Sequence, residues 1–323
     1  MPQVSVRAYS HPEELEAADT ASKTQLTPTS RVPFAAHLVG VKFDKLWMYQ
    51  VSESAARIKH TEQTASRAFF KFLTRPGSIM TQQGAALAYD GVIRHPRGDC
   101  YYERTDGETH WSSISLPVED LSIAGAVIAG CDLKPPRNPT TAVPSLQAMA
   151  NLRRLHGTIA ALAQNKPSAL SMPEVARRFE QGLIEVTVGC LADRVTREAT
   201  WGQRCHDTIM HRFYRLIEQN PTKPMYVPEV CAAIRVPERT LRFACHEHVG
   251  IGPKQFLTLR RMTLARQALR NADATDTTVT EIAMHFGFWH ISRFAVAYLA
   301  NFGESPSVTL GGNATIIPPE SQI

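Results

Sequence analysis

The chain has 323 residues, with 35 Lys+Arg against 30 Asp+Glu, a formal net charge of +5 and a sequence pI near 8.9. That length accommodates two domains, and a 43% apolar fraction is ordinary for a globular protein. Apolar runs stay short of the roughly 18 residues of a membrane span. The start, Met1-Pro-Gln-Val-Ser-Val-Arg7, lacks the apolar core of a signal peptide. A cytoplasmic location without a membrane partner is therefore expected.

Residues 26–120 read as a series of short strands. Ala36–Lys42, Leu46–Val51, Ala68–Leu73, Ala85–Tyr89 and His110–Leu116 are rich in β-branched or aromatic residues, and Gly, Pro and Asp separate them at Arg75-Pro-Gly77, Asp90-Gly91, Arg97-Gly-Asp99 and Asp106-Gly107. Regular short strands with turn signals predict a barrel or sandwich. A Pro-rich connector follows at 131–144. Ser145–Asn165 and Pro173–Asp193 then read as amphipathic helices, with Leu146, Met149, Leu152, Leu155, Ile159 and Leu162 at helical spacing. Their stripes exceed what one barrel surface is expected to cover, which points to a homodimer through these helices. A third helix, about 198–218, ends at Asn220-Pro221. The six cysteines, Cys100, Cys131, Cys190, Cys205, Cys231 and Cys245, form no Cys-x-x-Cys pair and read as reduced thiols.

Near the end a pattern occurs twice. Val227–Val236 is followed by Glu238-Arg-Thr-Leu-Arg242 and Gly250-Ile-Gly-Pro253; Val279–Phe288 is followed by Ile291-Ser-Arg-Phe294 and Gly303-Glu-Ser-Pro306. Each copy is a short helix, a tight turn and a second amphipathic helix, the pattern of a helix-turn-helix. Two units on one chain can place two recognition helices in successive major-groove segments of double-stranded DNA. Residues 203–310 hold 13 Lys+Arg and 9 Asp+Glu, so most of the excess positive charge lies here. The long helix Pro253–Asn271 is expected to act as a rigid spacer between the units.

In the first unit Leu241, Ala244 and Cys245 are expected to face inward, while Arg239, Arg242 and His246 share the opposite stripe, beside Glu238 at its start. Arginines on an exposed recognition helix suit bidentate contacts to guanine. In the second unit Phe294, Ala297 and Tyr298 face inward, and His290, Ile291, Ser292, Arg293 and Val296 face DNA. Apolar side chains there suit thymine methyls. Trp289 is expected to pack between the helices, and Arg260 to meet a phosphate. Arg261 has two readings, phosphate contact or structural partner.

Phe286-Gly-Phe-Trp-His-Ile-Ser-Arg-Phe-Ala-Val-Ala-Tyr298, Phe302-Gly-Glu-Ser-Pro306 and Pro237-Glu-Arg-Thr-Leu-Arg242 resemble the signature of the AraC/XylS transcription factors. The resemblance covers about residues 203–310, and its Gly-Phe-Trp-His form resembles the ethanolamine-regulator branch. It implies an α+β multidomain protein, with an N-terminal cupin-like β-barrel or sandwich carrying helices and a C-terminal all-α double helix-turn-helix domain. The divisions are a sensor domain at 1–144, a helical dimerisation and linker segment at 145–197, the DNA-binding domain at 198–310 and a tail at 311–323, expected to be disordered. Implied partners are RNA polymerase, as for an activator, and a small-molecule effector in the N-terminal domain. There are departures. Arg235 stands where the family has a turn Gly, as Gly287 does in the second unit, at a cost of about 1 kcal/mol for a positive φ. Pro237 replaces the usual Ser cap, worth ~1 kcal/mol.

Candidate effector-lining residues are strand positions with aromatic or polar tips: Phe34, His37, Trp47, Tyr49, Phe70, Phe72 and Trp111. A metal-dependent enzyme on this half is the rival. His60, His95 and His110 stand isolated, without a His-x-His and a downstream Glu, and phosphate-loop, nucleophile-elbow and dinucleotide signatures are missing. The expectation is a non-enzyme without cofactor or metal. A third reading is a ligand-independent DNA-binding regulator whose N-terminal half only dimerises or contacts polymerase.

Overall fold

Strand Arg67–Leu73 is buried at every position, because apolar material covers both of its faces. Phe70 and Phe72 point to a layer of helices, while Leu73 points to a second sheet. This alternation organises the N-terminal half. In a computed structural model, which describes residues 1–18, 22–30, 32–98, 100–192, 196–198, 201–220 and 223–311, the half begins β1 (Gln3–Tyr9), α1 (Pro12–Ala18), β2 (Ser22–Pro28), β3 (Ala36–Lys42), β4 (Trp47–Glu53), β5 (Arg57–Gln63) and β6 (Arg67–Leu73). It continues β7 (Met80–Gln82), β8 (Ala85–Leu87), β9 (Val92–Arg94), β10 (Cys100–Thr105) and β11 (Thr109–Pro117), then α2 (Val118–Ala124), which runs into a π-helical turn at Gly125–Ala129. β12 (Thr140–Ala142), α3 (Leu146–Asn165), α4 (Pro167–Leu170), α5 (Pro173–Ala192) and β13 (Thr196–Glu198) complete it.

The strands pair within two separate antiparallel sheets, one in the order β1-β3-β4-β11-β6-β9-β12-β13 and one in the order β2-β5-β10-β7-β8. The architecture is therefore a sandwich and not a closed barrel. Between the sheets pack Leu26, Leu38, Val51, Leu73, Met80 and Trp111. On the outer face of the larger sheet, Val39, Met48, Phe72 and Ile114 meet Met149, Leu152 and Ile159 of α3 and Leu183 and Val188 of α5. α3 starts where Ser145 Oγ accepts from Ala148 N–H at 3.2 Å, an N-cap. The sheet and the facing helix thus already cover the apolar stripes of α3 and α5, which removes the surplus apolar surface on which the dimer expectation rested. Leu146, 84% exposed, remains outside.

The C-terminal half is helical: α6 (Trp201–Glu218), α7 (Val227–Ile234), α8 (Glu238–Val249), α9 (Pro253–Asn271), α10 (Val279–His285), α11 (Ile291–Phe302) and α12 (Pro306–Gly311). Two small cores form. Met210, Phe213, Val230, Leu241 and Cys245 make the first; Ile282, Phe286, Phe294 and Tyr298 make the second. α9 belongs to both, through Phe256 and Leu257 at one end and Met262, Ala265 and Leu269 at the other. It is the spacer that its length suggests. Ile58 of β5 and Tyr102 of β10 enter the first core, so the halves share apolar surface. Among the described residues no helix is long and apolar enough to cross a membrane. The expected disorder of the tail concerns residues that, from 312 on, lie outside the described ones.

Candidate nucleic-acid interface

α7 and α8 form the first helix-turn-helix. Glu229 Oε2 accepts from Tyr226 N–H at 3.2 Å where α7 starts, and α7 ends at Arg235 with φ 55° and ψ 50°. The left-handed turn that the sequence places on a non-glycine residue is there. α8 follows Pro237, whose ring fixes φ near −59° but brings no capping oxygen. Leu241, Ala244 and Cys245 are fully buried. Glu238, Arg239, Arg242 and His246 are exposed on the opposite face. Two contacts pre-orient the arginines: Arg242 Nη2 meets Glu238 Oε1 at 2.7 Å, and the Arg239 guanidinium lies 5.7 Å from the Phe243 ring centroid. Phe243, 58% exposed, shares this face and was missed from the sequence; its signal is an aromatic residue outside the inward register.

In the second unit, Thr278 and Glu281 form a reciprocal cap at the start of α10, with N–H to oxygen distances of 3.2 and 2.8 Å. The turn passes through Gly287 at φ 78°, where a Cβ would stand 2.4 Å from Pro224 Cγ. Arg261 resolves to its structural reading: Nη1 donates to Gly287 O at 3.4 Å and the guanidinium covers Phe288 at 5.1 Å. Phe294 and Tyr298 face inward, Tyr298 Oη donating to Thr309 Oγ1 at 2.8 Å. His290, Ser292, Arg293 and Val296 are exposed along α11. Two expectations change. Ile291 is half-buried and packs against the second core. Trp289 is exposed rather than wedged between helices, because Phe288 takes that place, 4.8 Å from Phe294.

Residues 230–311 match a family model described as a helix-turn-helix domain. In Pseudomonas putida, the XylDLEGF operon transcriptional activator 3 is 29% identical over 50% of this chain and 48% of its own length. The XylDLEGF operon transcriptional activator 2 of the same organism is 27% identical over 44% of this chain and 88% of its own. Among solved structures, the AraC-like transcriptional activator CuxR aligns over 82% of this chain and 96% of its own with 14% identity and a TM-score of 0.42. The chain spans about half the length of the first of these curated relatives. The C-terminal domain is thus a helix-turn-helix domain, similar in sequence to the XylDLEGF operon transcriptional activators.

This helix-turn-helix domain is not free of the sandwich. Arg260, expected at a phosphate, is 9% exposed. It lies beside Tyr102 and Glu218; burial lowers its pKa, and those two groups oppose the shift. The middle of α9 faces the strand half rather than solvent, which withdraws Arg260 from the DNA side. Arg104 Nη1 of β10 donates to His246 O at 3.4 Å, near the carbonyl end of α8, where a cation complements the helix dipole. Further along α9, Arg266 and Arg270 meet Glu13 of α1 at 2.8 and 3.4 Å, and Gln267 Nε2 donates to Glu16 Oε2 at 3.4 Å.

Of the expected effector-lining residues, Tyr49, Phe70 and Trp111 share one small cavity, which Phe34, His37, Trp47 and Phe72 do not line. Phe70 and Phe72 belong to the core against the helices. His37 is half-buried on β3, and Phe34 packs at the edge of the inter-sheet core. Trp47 lies between Lys42 and Arg67, 4.7 and 3.9 Å from its ring centroid. Tyr49 and Trp111 line two cavities of about 30 and 40 Å³, room for a water or two. A buried ion cluster occupies the interior instead. Arg57 meets Glu53 at 2.8 Å and Glu103 at 2.7 Å, Lys71 also meets Glu103, and Trp111 Nε1 donates to Glu53 at 3.1 Å. A larger cleft, about 950 Å³, lies outside the sandwich, against α6. Gln82, Arg97, Arg137, Thr141, Asp207 and His211 are among its lining residues.

Proposed function

We propose that the chain is a sequence-specific DNA-binding transcription activator of the AraC/XylS type, controlled by a small-molecule effector bound at its N-terminal half. The observation that carries the reading is the doubled unit: two recognition helices, α8 and α11, each buried on one face and bearing exposed basic residues, Arg239, Arg242 and Arg293, on the other. Glu238, His246, His290, Ser292 and Val296 complete the DNA-facing set, with Phe243 and Trp289 added and Ile291 and Arg260 removed. A continuous spacer helix supports simultaneous engagement of adjacent groove segments.

The effector occupies the cleft between the sandwich and α6, because the interior cavities are too small and the cleft falls in the range of small-ligand sites. A ligand there touches Gln82 and Thr141 on the strand side and Asp207 and His211 on the helix that supports the first unit. The Gly287-Phe-Trp-His290 form supports the ethanolamine-type branch and a small amine, alcohol or amino-acid-like effector. RNA polymerase is the remaining partner in this reading.

Selection of bound duplexes from a random pool by the full chain, followed by footprinting, tests the DNA reading. An enriched sequence of two adjacent half-sites is the expected result; uniform recovery with affinity set by salt alone would overturn it. Titration of amine and alcohol panels with and without the selected duplex tests control, since linkage makes the coupling reciprocal, typically about 1–3 kcal/mol.

A further inference from the structure

α8 and α11 are both 12-residue helices, and the structure fixes one register for the two. Leu241 matches Phe294 and Cys245 matches Tyr298, all four buried. Gly250 and Gly303 close the helices in the same left-handed conformation, at φ 74° and 75°. The same shift in numbering pairs Arg239 with Ser292, Arg242 with Ala295 and Phe243 with Val296. The outward faces can therefore be compared position by position.

Two of these pairs differ in chemistry. Arg239 and Arg242 present donor forks that match guanine O6 and N7. Ser292 offers one hydroxyl and Ala295, half-buried, only a methyl. Ile291 stands where α8 has Glu238, and Arg293 is the one charged residue within α11. The third pair is alike. Phe243 is 58% and Val296 71% exposed, and neither side chain has a donor or acceptor. The one apolar group that a base pair presents in the major groove is the thymine C5 methyl. Val296 lies in the N-terminal half of α11, the part of a recognition helix that reaches base edges. Phe243 also carries the Arg239 guanidinium 5.7 Å from its ring centroid, so a methyl seated on that ring adjoins the base that Arg239 reads.

We propose, on the DNA-binding reading above, that the two recognition helices read chemically different half-sites. α8 reads guanine beside thymine, through Arg239, Arg242 and Phe243. α11 reads thymine by its methyl group, through Val296, and takes no bidentate guanine contact. The duplex that fits this chain is bipartite and asymmetric, with guanine specified in one half and a 5-methylpyrimidine in both.

The test uses the full chain and the duplex that it selects from a random pool. Thymines are replaced by deoxyuridine one at a time, which removes the methyl and keeps the pairing edge. One position in each half is expected to lose about fourfold in affinity, the loss of one buried methyl. Val296→Ala should abolish that sensitivity in the half without specified guanine, and Phe243→Ala in the other. Both side chains are exposed, so truncation spares the core, and the double-mutant comparison isolates the contact. Failure to enrich any duplex overturns the DNA-binding reading and this inference with it. An enriched duplex indifferent to deoxyuridine, or a sensitivity that survives Val296→Ala, overturns the methyl readout alone. Guanine specified equally in both halves overturns the asymmetry.

Discussion

Arg266 Nε donates to Glu13 Oε1 at 2.8 Å, joining positions 253 residues apart. The guanidinium is 1% exposed, and its Nη2 also meets Glu304 at 3.0 Å. One buried cation therefore ties α1 of the sandwich, α9 of the spacer and the turn after α11. Replacing it by Met leaves Glu304 without its cation and Glu13 with Arg270 alone. Arg266→Met is expected to cost roughly 3 kcal/mol, and Glu13→Gln, which keeps Glu304, about 1–2 kcal/mol. Urea unfolding measures both; equal midpoints for wild type and Arg266→Met would show that the pair does not hold the halves together.

Beside it, burial raises Glu16 to about 7, against the Leu26 N–H that bonds its carboxylate. Between about pH 4.5 and pH 7 the folded chain therefore binds more protons than the unfolded chain. Stability should fall as pH rises through that window, by on the order of 2–3 kcal/mol, and level off above it. Glu16→Gln should flatten this part of the profile. Unfolding midpoints at a series of pH values decide it, and a slope unchanged in the variant would assign it to other groups.

The two turns give opposite expectations at equivalent positions. Arg235→Gly relieves a left-handed residue and should stabilise by roughly 0.5–1 kcal/mol, the strain relief less the entropy of glycine. Gly287→Ala adds a Cβ at φ 78° against Pro224 and should cost roughly 2–4 kcal/mol. Thermal melting separates them. Equal shifts in both variants would mean that the turns are not under the same constraint.

Arg239→Ala and Arg242→Ala should each weaken specific DNA binding by roughly 1–3 kcal/mol and relax preference at one base position. Arg242 must first leave Glu238, at 2.7 Å, so Glu238→Gln should raise nonspecific affinity. Arg260→Ala should leave the salt slope of binding unaltered, since its charge faces Tyr102 and Glu218. A slope reduced by about one in Arg260→Ala would return that residue to the phosphate contacts.

Local pattern decided much of this protein. The repeat from Val227 to Val279, the inward Leu241 and Phe294 and the left-handed Arg235 and Gly287 follow from helical period and turn stereochemistry, which act over a few residues. The strands between 36 and 116 were legible for the same reason, but their sidedness was not. Phe70, Phe72 and Trp111 are all aromatic on neighbouring strands, yet two meet helices and one meets a buried carboxylate. Only the presence of a layer on each face settles which. The tertiary structure alone moved Arg260 from the DNA side to the interior and exposed Trp289, because those fates depend on what packs opposite. It also brought Glu218 to His60, and Arg266 to Glu13. Contacts between residues far apart along the chain leave no period in the sequence; they exist once the sandwich and the helical domain share a surface.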